Sequence, residues 1–160
     1  MSTSLWVHRA PPVKDSGSAV LGRWSPATPM ELTLARRQLM AALHDGAWQP
    51  GTDEAPVQRL LLAFEELASN ALRHGGPPIE VAVTRIGECW LLEVSDAAAD
   101  RPPAPESDRD PALGGLGLPL VAMICADHGW TVEGDRKLVW ASLDHTAAEP
   151  PSDDTGRRCT

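Results

Sequence analysis

Hydrophobic residues recur with the period of an α-helix from Leu60 to His74, in a stretch that lacks Gly and Pro and is rich in Leu and Ala. At about 100° per residue, one broad face collects the apolar side chains Leu60, Leu61, Phe64, Leu67, Ala68, Ala71 and Leu72. The other face collects the polar side chains Arg59, Glu66, Ser69, Asn70 and Arg73. The pattern predicts an amphipathic helix that begins soon after Asp53 and ends at Gly75-Gly-Pro-Pro78.

The remaining hydrophobic pattern predicts strands and further helices on both sides of this segment. The predicted strands cover residues 19–24, 79–85, 90–96, 129–133 and 137–143. One further helix begins after Thr28, where a hydroxyl cap is followed by Pro29 and Glu31, and another begins near Leu118. The order β-α-α-β-β-α-β-β predicts an α/β (α+β) two-layer sandwich with a mixed β-sheet and the helices on one face.

Three segments lack hydrophobic periodicity. Residues 1–17 mix Pro, Ser, Gly and charges, so we predict a mobile N-terminal arm. Residues 97–113 are rich in Pro, Asp and Arg and are long for a loop in a compact domain, which indicates a lid. Residues 146–160 lack this periodicity as well, so we predict a disordered C-terminal tail. The remaining residues, 18–145, are predicted to form one domain, which is long enough to bury a hydrophobic core.

Composition narrows the classes of function. The formal net charge of −8 argues against direct nucleic-acid binding, which needs a basic surface. No apolar run approaches the roughly 20 residues that span a bilayer, and no signal peptide is visible at the start. We therefore expect a cytoplasmic protein without membrane contact. The cysteines form no Cys-x-x-Cys pair, so a metal site built on thiolates is not predicted.

The polar face of the central helix carries candidate chemistry. Glu66 and Asn70 are four residues apart, so their side chains are stacked neighbours on the helix. An acid beside a carboxamide can hold a hydrated magnesium ion and orient a water or a hydroxyl. A solvated polar face is the alternative, and periodicity alone favours that alternative.

Two later motifs change this balance. The chain carries, in order, helical Glu66-x-x-x-Asn70-x-x-Arg73-His74, a strand-end Asp96, and Gly114-Gly115-Leu116-Gly117-Leu118 at a helix start. This set resembles the GHKL ATP-binding domains of gyrase, Hsp90, histidine kinases and MutL, which implies a Bergerat-type fold over residues 19–143. It is most similar to the anti-sigma-factor serine/threonine kinases and their stand-alone bacterial relatives.

The resemblance implies a role for each motif in binding ATP and Mg²⁺. Glu66 would be the general base, and Asn70 would contact the magnesium ion that bridges the phosphates. Asp96 would accept a hydrogen bond from the adenine amino group, although it could instead cap the following loop. The ATP contacts implied by the motifs are Asn70, Arg73, His74, Asp96, Gly114, Gly115, Gly117 and Leu118. For Arg73 and His74, a solvated helix end is the open alternative.

Three positions depart from the family pattern. Ala98 stands where a Gly usually follows the adenine-binding Asp, and Leu116 stands where many stand-alone relatives have Arg or His. Leu138 is matched to a Thr on the late strand that supports the adenine site. A lost basic residue and a lost hydroxyl would weaken phosphate and adenine contacts, so a degenerate nucleotide site is an alternative.

The resemblance thus implies an ATP-dependent serine/threonine kinase that phosphorylates a small antagonist protein, binds a sigma factor, and could form a homodimer. The alternative is a degenerate ATP-binding or protein-interaction module without phosphotransfer. A detached histidine-kinase catalytic domain is disfavoured, because no long dimerisation helix with a phosphoacceptor His precedes the domain. Gyrase-, Hsp90- and MutL-like ATPases are disfavoured because they need a second domain that supplies a catalytic Lys.

Overall fold

The computed structural model describes residues 6–44, 54–103 and 117–145 of the chain. Its elements are β1 Ala19–Trp24, α1 Pro29–His44, α2 Ala55–His74, β2 Glu80–Ile86, β3 Cys89–Asp96, α3 Gly117–Ile124, β4 Asp127–Glu133 and β5 Arg136–Asp144. The predicted order of strands and helices is confirmed, and their bounds differ only at the ends. The predicted tail and most of the predicted lid lie outside the described residues.

The sheet contains five strands in the order β1-β2-β3-β5-β4, and all four neighbouring pairs are antiparallel. The two-layer α+β sandwich is confirmed. The prediction of a mixed sheet is wrong, because the neighbouring strands are antiparallel throughout. A helix between β3 and β4 would make these strands parallel if they were neighbours. Instead β5 lies between them, because it folds back along β4 and pairs with β3.

The apolar face of α2 packs on the sheet as its periodicity predicts. Leu60 and Phe64 are fully buried, and the Phe64 ring meets the Trp24 ring edge-on at 5.4 Å between centroids. Burying each such side chain contributes about 1.5–3 kcal/mol. The alternate strand residues that join this core are Val81, Val83, Leu92, Val94, Val139, Ala141 and Leu143. The polar face of α2 is therefore turned away from the centre of the core.

The start of α1 has the capping geometry that its sequence predicts. The Glu31 backbone N–H donates to Thr28 Oγ1 at 3.2 Å, and Glu31 Oε2 accepts from the Ala27 N–H at 3.1 Å. These bonds satisfy N–H groups at the helix start, and such a cap contributes about 1 kcal/mol. Buried Leu32 and Leu39 then dock α1 on the same core.

Residues 6–9 pack along β4, which differs from the mobile arm expected from sequence over 1–17. The Arg9 N–H donates to the Trp130 carbonyl at 2.8 Å, and the Trp130 N–H donates to the Val7 carbonyl at 3.1 Å. Trp6 is buried in the core beside His128. The physical reason is that β4 is a sheet edge, whose backbone groups accept a further extended segment. So short a pairing leaves little periodicity in the sequence.

None of the helices in the described part of the chain is long and apolar enough to cross a membrane.

Candidate functional site

The polar face of α2 meets the first residue of α3 at Glu66. A Cβ atom at position 117 would overlap Glu66 Oε2, so a larger residue there would displace the end of the Glu66 side chain. The next residue, Leu118, is buried in the core and anchors the first turn of α3. The structure therefore brings the carboxylate of Glu66 close to the backbone of Gly117. Gly114 and Gly115 lie outside the described residues.

The environment of Glu66 changes its acidity. Burial raises the pKa of the Glu66 carboxyl above its ordinary value, the Arg73 charge lowers this pKa, and the Glu65 charge raises it. The net direction is upward, which makes the carboxylate a stronger base than an exposed glutamate. Perturbed acidity of this kind is common in catalytic groups, and a half-buried acid on a structural helix also shows it.

Asn70 lies one turn after Glu66 and lines a small cavity between α2 and the sheet. Asp96 and His74 line the same cavity, so three of the predicted site residues share one location. Arg73 is exposed on the helix surface, and its charge acts on Glu66. In the described ranges, no cluster of three or more His, Cys, Asp or Glu could hold a metal ion by itself. Among the described residues, Asn70 would hold Mg²⁺ together with phosphate oxygens.

Asp96 ends β3 and is almost completely buried. Its Oδ1 accepts a hydrogen bond from the Ala98 N–H at 2.7 Å, so Asp96 does cap the loop that follows β3. Its Oδ2 lies 3.6 Å from Lys137 Nζ, in an ion pair whose side chains are 2% and 7% exposed. The carboxylate thus combines a loop-capping role with a position on the cavity.

Lys137 was not identified from the sequence. It pairs directly with Asp96 across β3 and β5, which places both side chains on the helix-facing side of the sheet. The position matched to the family Thr, Leu138, faces the other side, where it lines a hollow with Glu93 and Ser95. The residue beside Asp96 is therefore Lys137 and not Leu138. Lys137 and Val139 are two residues apart on one strand, so their side chains lie on the same face of the sheet. A lysine on the face of buried Val139 is the sequence feature that could have identified it.

The end of α2 is fitted closely against Asp96. A Cβ atom at position 75 would lie 2.7 Å from Asp96 Oδ2 and 2.7 Å from the Ala71 carbonyl oxygen, so only glycine fits there. The Ala97 N–H also donates to the Gly76 carbonyl at 2.7 Å. Gly75 and Gly76 thus end the helix and also hold its C-terminal end against the end of β3.

The cavity does not fit an adenine ring in the described conformation. Its volume is about 10 Å³, which is room for roughly one water molecule. Larger hollows lie elsewhere among the described residues, and one of about 560 Å³ beside Arg36 and Arg59 is lined by none of the motif residues. The acidic and amide groups at Glu66 and Asn70 suit a magnesium–phosphate group, whereas the cavity beside Asp96 is smaller than an adenine ring.

Comparison with known families agrees with the fold. A family model described as the histidine kinase-like ATPase domain matches residues 25–143. No curated protein matches the chain significantly. The matched range runs from the end of β1 to β5 and contains Glu66, Asn70 and Asp96. The chain therefore belongs to the family of histidine kinase-like ATPase domains, within the GHKL superfamily.

Proposed function

We propose that the chain is an ATP-dependent regulatory kinase, which transfers the γ-phosphate to a Ser or Thr hydroxyl of a small antagonist protein and also binds a sigma factor. The observation that carries the proposal is the position of Glu66. Its partly buried carboxylate, with a raised pKa, lies against Gly117 and one turn before Asn70. Such a protein would act in the cytoplasm.

The chemical step assigns one task to Glu66. The hydroxyl oxygen of the partner attacks the γ-phosphorus, and the hydroxyl proton passes to the Glu66 carboxylate. The bond from the γ-phosphorus to the bridging oxygen breaks, and ADP leaves. A positioned base of this kind contributes about 10²–10⁴-fold in rate. The raised pKa of Glu66 favours the transfer, because a base with a pKa closer to neutral accepts a proton more readily.

The other groups position the nucleotide. Asn70 would hold Mg²⁺, which when bound offsets the charge of the phosphates. Arg73 and His74, at the end of α2, would approach the phosphates. Asp96 would accept a hydrogen bond from the amino group of adenine, whereas guanine presents an oxygen at the corresponding edge.

A protein-interaction module without phosphotransfer is the second candidate. The specific observation in its favour is the base cavity of about 10 Å³, which Lys137 lines together with Asp96. A module of this kind would still bind partner proteins but would not consume ATP.

The deciding experiment mixes the purified full chain, Mg²⁺ and ATP labelled on the γ-phosphate with a panel of candidate antagonist proteins. We expect labelled phosphate on a Ser or Thr of one antagonist, and its loss in Glu66→Gln. Glu65→Gln is the matched control, because it removes the same charge from the adjacent residue, which lines a different hollow. Nucleotide binding without transfer to any partner would favour the interaction module.

A further inference from the structure

Lys137 is a charged side chain at a position where the sheet is otherwise apolar. The residue is 5% exposed, and the helix-facing residues that follow it along β5 are Val139, Ala141 and Leu143. A buried ammonium group is costly unless it is paired, and Asp96 Oδ2 at 3.6 Å supplies the pairing charge. The lysine is therefore held in the cavity by the same carboxylate that the nucleotide would use.

The two carboxylate oxygens of Asp96 have different partners. Oδ1 accepts from the Ala98 N–H at 2.7 Å, which fixes the carboxylate at the start of the loop. Oδ2 is the oxygen beside Lys137 and beside Gly75. An ammonium group interacts with a carboxylate more strongly than a neutral amino group does. Adenine would have to displace the stronger partner.

We propose that Lys137 is a built-in competitor for the base site, so that ATP binds at Asp96 only after the lysine side chain has left the carboxylate. The inference rests on the proposed ATP site. The cavity of about 10 Å³ is then the closed state of the site. It opens when the Lys137 side chain moves away from the Asp96 carboxylate. Because only the open fraction of molecules binds nucleotide, the apparent affinity is reduced by that fraction.

Lys137 thus sets the affinity for nucleotide without contacting the reacting phosphate. A minor open state commonly amounts to about 0.1–10% of molecules, so removal of the lysine should tighten ATP binding by about tenfold or more. The neighbouring residue on the strand should have no such effect, because the Leu138 side chain lies on the opposite face of the sheet.

The test measures ATP affinity of the full chain by calorimetry in the presence of Mg²⁺. We expect Lys137→Thr and Lys137→Met to bind ATP about tenfold or more tightly than the wild type. Lys137→Arg keeps the positive charge and should bind ATP as weakly as the wild type. Leu138→Thr is the matched control and should leave the ATP affinity unchanged. Equal affinities in the wild type and in both neutral variants would overturn the proposal.

A second measurement addresses folding, because removal of Lys137 leaves the Asp96 carboxylate buried without its partner. Thermal unfolding should show a lower melting temperature for Lys137→Thr without nucleotide, and a larger rise on adding Mg·ATP than in the wild type. An equal rise in both proteins would contradict competition. The double variant Asp96→Asn with Lys137→Met, neutral at both positions, should melt above Lys137→Met alone.

The outcomes separate this inference from the proposed function. Equal finite affinities in all variants would overturn the competitor role and leave ATP binding standing. Binding by the neutral variants alone would support the competitor role and overturn the kinase proposal for the native chain. Absence of ATP binding in every variant would overturn both.

Discussion

The two ends of the α2 surface differ in how closely they match an ATP site. The end that we propose for the phosphates, called the phosphate end, consists of Glu66, Asn70 and Gly117. The helical spacing places Glu66 and Asn70 together, and Gly117 approaches Glu66 from the start of α3. The opposite end, called the base end because it would hold the adenine base, consists of Asp96, Lys137 and Gly75. There the Asp96–Lys137 ion pair and the end of α2 occupy the space that adenine would need. Under the proposed function, the difference separates the residues that would act on the phosphates from an adenine position that the Asp96–Lys137 ion pair occupies.

The largest expected effect would test the phosphate end. Glu66→Gln should lower phosphotransfer by about 10²–10⁴-fold and leave ATP affinity nearly unchanged, because the carboxylate acts on the incoming hydroxyl. Asn70→Ala should weaken ATP affinity and phosphotransfer together, because it removes the magnesium contact. Calorimetry and a phosphotransfer assay on the same preparations measure this split. Phosphotransfer at the wild-type rate in Glu66→Gln would show that Glu66 is not the general base.

The phosphate end was predictable because its geometry is local. Glu66 and Asn70 belong to one helix, and a spacing of four residues places them together in any amphipathic helix. The meeting of Glu66 with Gly117 needed more, and only the family resemblance implied that the glycine-rich turn returns to this helix.

The base end was only partly predictable because it depends on strand pairing. Asp96 was recognised at the end of its strand, but its neighbour Lys137 follows from the pairing of β3 with β5 across a long stretch of chain. Sequence order does not say which strand lies next to β3, and a shift of one residue exchanges the two faces. The same uncertainty explains why Leu138 was placed beside the adenine position and why a mixed sheet was predicted.

A smaller effect concerns base selectivity at the base end. The wild type should bind Mg·ATP more tightly than Mg·GTP. In the Lys137→Thr background, Asp96→Asn should lose about tenfold in ATP affinity, because a carboxamide is a weaker acceptor than a carboxylate. This background is free of the ion pair, so the loss reports on the acceptor alone. Equal affinities for ATP and GTP in the wild type would contradict the assignment of Asp96.

The predicted lid connects the two ends, since residues 97–113 run from Asp96 toward the glycine-rich turn. If this segment closes over the phosphates, Mg·ATP should slow its cleavage by a protease several-fold. Limited proteolysis with fragment mapping measures the effect, and cleavage elsewhere in the chain serves as the internal control. Identical cleavage of this segment with and without nucleotide would count against a lid.

The smallest expected effect is on stability and again concerns Glu66. Burial raises the pKa of this carboxyl in the folded chain above its ordinary value of 4.5. The stability linked to the group is therefore fully present below the unfolded pKa, where Glu66 is protonated in both states, and is lost as the pH rises through the folded pKa. Glu66→Gln is neutral at every pH and avoids this loss.

Glu66→Gln should consequently be more stable than the wild type at neutral pH, and its advantage should disappear as the pH falls below the ordinary range of a glutamate. The gain should stay below about 1 kcal/mol, because the carboxyl is partly exposed and solvent screens it. Chemical denaturation at neutral and at acidic pH measures the difference. A variant that gains stability while it loses phosphotransfer is the behaviour of a functional acid held at a cost to the fold. A Glu66→Gln variant less stable than the wild type at neutral pH would show instead that this carboxylate stabilises the fold.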